Sequence, residues 1–364
     1  MLRLKFQKHT LRFKFEAGTS RGTLREHEVY YICLWDLTQP EKIGMGEAAP
    51  LKGLSIDYRP DFAEQLGIIL DNISSLNIEQ AEHYQLKEIS QLIPVEFPSI
   101  RFAVETAFLD WQNGGQKQIF DNPFFQGKRP IPINGLIWMG DEGFMQQQIA
   151  QKLEEGFGCI KMKIGAIDFE QECQLLKGIR QKFSADELIL RVDANGAFKP
   201  NEALEKLHRL SEFELHSIEQ PIRPNQLASM RHLCEKSPVP IALDEELIGK
   251  LSLSEKEKLL DVINPPYIIL KPTLLGGFVA TEEWITLAKK RKIGWWITSA
   301  LESNIGLNAI AQFTAEHDTQ NFHGLGTGSL YHNNIESPLT ITKDHLAYQP
   351  RKYWEPLPAI TDSF

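Results

Sequence analysis

The amino-acid sequence predicts an α/β fold: a (β/α) barrel of the TIM type preceded by a smaller α+β unit. Three observations carry this. Short apolar or β-branched runs recur about every 25–30 residues from residue 130 onward, as in a chain of β/α units. Charged, helix-periodic stretches separate them. The first ~125 residues follow a different pattern. A chain of 364 residues, at about 100–200 per domain, has room for both units.

Residues 2–15 alternate, with Leu2, Leu4 and Phe6 and then Leu11, Phe13 and Phe15 apolar, as half-buried strands do. GTSRGT at 18–23 is a loop signal. Residues 29–35 read as another strand, and 44–50 as a strand end running into a loop. Residues 58–111 are helical in pattern and end with Ile100, Val104, Ala107, Phe108 and Trp111 at helical spacing. An antiparallel meander followed by helices is an α+β arrangement.

The repeating strands are INGLIW (133–138), CIKMK (159–163), LILRVD (188–193), LHSIEQ (215–220), PIALDE (240–245), YIILK (267–271), WWITSA (295–300) and NFHGLG (321–326). Helix-periodic stretches at 142–155, 169–183, 201–210, 225–236 and 279–291 lie between them. An open doubly wound sheet is the competing architecture. No G-x-G-x-x-G follows the first strand, and eight regular units favour closure. Residues 340–364 read as a short strand and an irregular tail. The expected divisions are 1–128 (α+β), 129–331 (barrel) and 332–364, a C-terminal segment returning to the first unit.

Composition excludes several function classes. A hydrophobic fraction of 42% and a charged fraction of 24% belong to a globular chain. The net charge of -9 argues against nonspecific nucleic-acid binding. The longest apolar stretches fall far short of the ~20 residues of a membrane helix. The N-terminal MLRLKFQKH lacks the apolar core of a signal peptide. Cys33, Cys159, Cys173 and Cys234 are scattered and form no C-x-x-C, so neither a zinc site nor a disulfide scaffold is indicated. A soluble, reduced, cytoplasmic protein is expected.

Charged residues end five successive predicted strands: Lys161 and Lys163, Asp193, Glu219, Asp244 and Lys271. From Lys163 the spacings are 30, 26, 25 and 27 residues. In a barrel these positions surround one mouth, where barrel enzymes keep their active sites. Three neighbouring carboxylates repel one another, and an all-oxygen cluster suits Mg²⁺ or Mn²⁺ rather than Zn²⁺. Lys161 and Lys163 point to the same face, since strand side chains alternate. The apolar Met162 between them suits the helix layer, which leaves both lysines facing inward. A free lysine, with a pKa near 10.4, is a poor base at neutral pH. A second ammonium and a divalent cation lower that pKa. Lys271 faces Lys163 across the mouth. A base on each side of a metal suits removal of a proton α to a carboxylate.

KMK (161–163), DAN (193–195), EQP (219–221), DE (244–245) and Lys271 together resemble the enolase superfamily, in its muconate-lactonising subgroup. GEAAPLKGLS (46–55) is similar to that family's capping-domain loop, and the resemblance runs on to GLGTGSLY (324–331). It implies that residues 1–128 form a capping domain. It implies that Asp193, Glu219 and Asp244 are Mg²⁺ ligands, with Mn²⁺ able to substitute. Lys163 and Lys271 are then the acid/base lysines, and Lys161 contacts the carboxylate of a small-molecule substrate.

KPTLLGG (271–277) and GLGTGSLY are most similar to o-succinylbenzoate synthases of menaquinone synthesis. That resemblance implies Mg²⁺-dependent dehydration of 2-succinyl-6-hydroxy-2,4-cyclohexadiene-1-carboxylate. Dipeptide epimerases of the subgroup carry Asp-x-Asp after the eighth strand; here the place reads Gly326-Thr327-Gly328, which counts against an amino-terminal substrate. An N-acylamino acid racemase is the alternative enzyme. A noncatalytic metal-dependent barrel is the alternative from another class, but it would be expected to have lost a ligand or a lysine, and all five strand ends are filled. Expected substrate-binding residues are Arg21, Asn195, Ser299, Glu302 and Gly326. The loop at 18–22, with Arg21 in it, is a candidate lid. His323, Trp295 and Trp296 read as packing residues.

Overall fold

A computed structural model describes residues 1–19, 22–76, 78, 80–317 and 320–356. The chain opens with three long strands, β1 (Leu2–Thr19), β2 (Gly22–Asp36) and β3 (Gln39–Ala48), in an antiparallel meander. Helices α1 (Phe62–Ser75), α2 (Leu86–Gln91) and α3 (Pro98–Gln112) follow. Gly44 and Gly46 let β3 lie directly on α3: a Cβ at either would collide with the carbonyl oxygen of Ala107 or Ala103. One side of α3, with Val104, Ala107, Phe108 and Trp111, packs into the core of this first unit. Phe102, on another side, joins the core of the second.

The second unit begins with β4 (Ile131–Pro132) and β5 (Gly135–Ile137). Helices and strands then alternate: α4 (Glu142–Glu154), β6 (Cys159–Lys163), α5 (Phe169–Arg180), β7 (Ile189–Asp193), α6 (Pro200–Ser211) and β8 (Ser217–Glu219). The series continues with α7 (Leu227–Lys236), β9 (Ile241–Leu243), α8 (Leu253–Ile263), β10 (Tyr267–Leu270), the short α9 (Pro272–Leu275) and α10 (Gly277–Arg291). It ends with β11 (Gly294–Ile297) and α11 (Asn304–Ala315). α4, α5 and α8 start where a side chain accepts a first-turn amide: Asp141 from Phe144, Asp168 from Glu170, and Ser252 from Glu255.

β5 to β11 form a parallel sheet of seven strands in sequence order. Parallel bridges at Ile133–His323 and Thr298–Gly324 set residues 323–324 beside both of its ends. The eighth strand expected at 321–326 is thus reduced to two bridged residues. Its Gly324 is a glycine with a reason, since a Cβ there would lie 2.6 Å from the Thr298 hydroxyl. The arrangement fits a TIM-type barrel.

Strand parity divides the sheet. Ile160, Met162, Leu190, Val192, Ile218, Ile241, Leu243, Ile268, Leu270 and Ile297 belong to the large core shared with the helices. On the opposite parity, Ala242, Ile269 and Trp296 form a small separate cluster with Tyr267. The site is made by the polar and charged residues of this inward parity, Lys161, Lys163, Arg191, Asp193, Ser217 and Glu219, beside the apolar Leu136 and Cys159.

β12 (Leu339–Thr342) and β13 (His345–Tyr348) form a hairpin that turns at Lys343, and β13 pairs with β4. Just before it, the chain meets β1. Phe13 bridges Tyr331, and the Arg12 amide donates to Asn333 Oδ1 at 2.8 Å. Among the described residues no helix is long and apolar enough to cross a membrane.

Candidate active site

Register brings the strand ends to one level. Lys163 pairs with Asp193, and Asp193 with Glu219, across β6, β7 and β8. Alternation then turns all three inward together with Lys161, two residues earlier. Lys161, Lys163, Asp193, Glu219 and Asp244 are all buried. The Lys161 ammonium donates to Glu219 Oε2 at 2.9 Å and to Asp193 Oδ2 at 3.3 Å. Lys163 donates to Asp193 Oδ2 at 3.0 Å and to Asn195 Oδ1 at 2.8 Å. Lys271 donates to Asp244 Oδ2.

The charges hold one another. Burial alone would raise the Asp193 carboxyl, but Lys163, Lys161 and Lys271 outweigh it and keep it well below the usual carboxylate range. Burial pulls Lys161 down, while Glu219 and Asp193 hold it above its ordinary value. Lys271 is raised in the same way, by Asp244 and Glu219 against burial. Asp244 is pushed up by burial and by neighbouring Glu245 and Glu219, against the pull of Lys271.

Among the described residues no three carboxylate, imidazole or thiolate groups stand close enough to hold a metal ion as they are. Ammonium groups lie against the carboxylates instead. Even so, Glu219 Oε1 is buried without a hydrogen bond, 3.8 Å from Lys271. A buried carboxylate oxygen left in this state is costly unless a cation completes it. Asp193, Glu219 and Asp244 form an all-oxygen donor set of the kind that hard divalent cations prefer. The residues fit Mg²⁺.

A cavity of about 920 Å³ opens above the ring. Lys161, Lys163, Asp193, Asn195, Lys271, Ser299 and Gly326 line it; Glu219 and Asp244 lie beneath its floor. Gly22, Thr23 and residues 51–54 of the first unit also reach it. Arg21 lies outside the described residues. Glu302, expected at the substrate, is off the cavity wall. It is fully buried, and its carboxylate accepts the Thr273 hydroxyl and the Ala300 amide. The sequence gives its strand end but not its direction, because left-handed Leu301 breaks the alternation just before it.

His323 is buried, and its Nδ1 accepts the Ile297 amide at 3.0 Å. Trp296 packs against Arg191, with the guanidinium 4.0 Å from the ring centroid. Three residues that sequence reasoning missed support the ring. Gln220 Oε1 accepts the amides of Asp244 at 3.1 Å and Glu246 at 3.2 Å. Glu245 Oε1 accepts the Asn195 side-chain amide at 3.1 Å, which turns the Asn195 oxygen to Lys163. The Trp138 ring lies 5.8 Å from the Lys163 ammonium and meets Phe15 of β1 edge-on. Gln220 and Asn195 both have positive φ, at 39° and 43°, backbone strain of a kind that collects at functional sites.

The enolase C-terminal domain-like family matches residues 145–351. An o-succinylbenzoate synthase of Desulfotalea psychrophila is 47% identical over 361 residues, covering 93% of this chain and 97% of that protein. The crystal structure of MenC from Desulfotalea psychrophila LSv54 superposes with a TM-score of 0.83 at 42% identity, covering 95% of this chain and 99% of that one. The dipeptide epimerase of Enterococcus faecalis V583, complexed with Mg and L-Leu-L-Tyr, reaches a TM-score of 0.83 at 17% identity, with 97% of each chain covered; that likeness is one of fold.

Proposed function

The chain belongs to the enolase superfamily, among the muconate-lactonising enzymes and beside the o-succinylbenzoate synthases, and from that premise we propose a Mg²⁺-dependent dehydratase. It converts 2-succinyl-6-hydroxy-2,4-cyclohexadiene-1-carboxylate to o-succinylbenzoate and water, in menaquinone synthesis. One observation carries the chemistry: Lys163 and Lys271 sit on the wall of a single cavity together with Asp193, with Glu219 and Asp244 buried behind it against Lys161 and Lys271.

Lys161 holds the substrate carboxylate through its fixed positive charge. Lys163 removes the proton α to that carboxylate. Its Nζ is aimed by Asn195 and covered by Trp138. Negative charge moves onto the carboxylate, where Lys161 and Lys271 oppose it. The ring hydroxyl then leaves with the proton that Lys163 took, so water departs and the ring becomes aromatic. One face suffices for this syn elimination, and Lys271 stays protonated. Asp193, Glu219 and Asp244 would hold Mg²⁺, which when bound would supply Lewis acidity toward the developing charge.

The proposed divisions are 1–128 as cap, 129–331 as barrel and 332–364 as a C-terminal segment returning to the cap, its last eight residues lying outside the described ones. The free cysteines favour the reducing cytoplasm. The test is incubation with Mg²⁺ and the cyclohexadiene substrate, followed by the ultraviolet change on aromatisation. No aromatic product at high enzyme concentration would sink the reading. Exhaustive chelation should abolish turnover, and Mg²⁺ or Mn²⁺ should restore it. Asp244→Asn should weaken metal binding in calorimetry while circular dichroism stays that of the parent. For the racemase alternative, solvent deuterium would enter N-acyl amino acids at the α position with turnover.

A further inference from the structure

One wall of the cavity has a shape that the lysines do not explain. Between β11 and α11, residues 298–301 all line it. Leu301 has a φ of 71°, a left-handed conformation that residues with a Cβ rarely adopt. Strain of this size corresponds to a factor of about 5–30 in population, and it persists only where the surroundings over-determine it.

Three buried side chains do so. The Tyr331 hydroxyl donates to the Leu301 carbonyl at 2.6 Å. Glu302 accepts the Ala300 amide at 2.7 Å and, through its other oxygen, the Thr273 hydroxyl. The third comes from the first unit. Glu47, near the end of β3, accepts the Ser303 amide at 2.8 Å, the Ser303 hydroxyl at 2.5 Å and the Gly306 amide at 2.8 Å. Glu47 is fully buried. Gly306 makes room for both glutamates, since a Cβ there would lie 2.7 Å from the Glu302 Cβ and 3.1 Å from Glu47 Oε2. Four residues after Glu47, Leu51 begins the stretch 51–54 that lines the cavity from the cap side. One carboxylate therefore ties together two loops that shape the same cavity.

We propose that Glu47 is a positioning residue that sets substrate fit: it fixes residues 299–303 in the left-handed bend at Leu301 and thereby shapes one wall of the cavity. Its kinetic test rests on the dehydratase reading; its stability test does not. Glu47→Ala should raise KM about tenfold, with kcat changed less than about threefold, as expected for a wall that binds substrate without taking part in proton transfer. Glycine adopts a left-handed φ unaided, so in the Leu301→Gly background the same substitution should raise KM less than about threefold. The melting-temperature loss from Glu47→Ala should shrink in that background as well.

Equal costs in both backgrounds would overturn the proposal and leave Glu47 as a docking contact only. If Glu47→Ala does not fold, Glu47→Gln, which keeps one acceptor oxygen, is run through the same cycle. If the parent enzyme makes no o-succinylbenzoate, the functional reading fails and the melting-temperature cycle decides the proposal alone.

Discussion

Lys163 and Lys271 look alike in sequence, and the mechanism separates them. Proton transfer by a positioned side chain is worth about 10²–10⁴-fold. Lys163→Arg keeps the charge but cannot lose a proton at neutral pH, so kcat should fall by at least about 100-fold while substrate still binds in calorimetry. Lys271→Arg keeps the charge needed there and should retain clearly more activity than Lys163→Arg. The reverse order in a side-by-side assay would exchange the two roles. Gln220→Ala should strand the Asp244 and Glu246 amides, at about 1–3 kcal/mol for each buried donor. Weaker Mg²⁺ binding and a lower melting temperature are the measurable results. The five charged strand ends were legible because a regular spacing along a barrel chain becomes adjacency around its mouth. Gln220, Glu245 and Trp138 were not, since their roles depend on hydrogen bonds and ring contacts between separate loops, which leave no period in the sequence.

At the scale of elements, periodicity served where an element has one wet and one dry face. The helical stretches 169–183 and 279–291 became α5 (Phe169–Arg180) and α10 (Gly277–Arg291) with their starts within two residues. It failed at 321–326, where glycines and close packing on Thr298 leave only a two-residue bridge. At 340–364 it found the short strand that is β12 but missed the return strand β13, because the turn between them rests on a left-handed Lys343 rather than a glycine. Charge adds a property that no hydropathy pattern shows. Glu105 of α3 accepts the amides of Phe278 and Val279 in the first turn of α10. Burial pushes its carboxyl from 4.5 up to about 7, against the hydrogen bonds from Ser90 and these two amides and the charge of Arg101. Between those two values the folded state holds more protons than the unfolded chain, so this group makes stability fall as pH rises through that window. Glu105→Gln removes the contribution. Its melting temperature should decline less from about pH 5 to about pH 8 than the parent's does; parallel curves would refute this.

For the whole molecule, α3 joins two cores. Phe102 is fully buried and meets Phe278 of α10 edge-on, with ring centroids 5.3 Å apart. Phe102→Ala should cost about 3–5 kcal/mol. Because that loss falls on the seam between the units, calorimetry should show one transition splitting toward two. The pairing of β13 with β4 bears on how the protein is made. Leu346 lies against Ile131, roughly 200 residues earlier in the chain. A ribosome adding about 5–20 residues per second needs about 10–40 s to cover that interval. Until then Ile131 and Pro132 have no β13 to pair with, and the nascent enzyme waits with an open seam that other chains, or a chaperone, can reach.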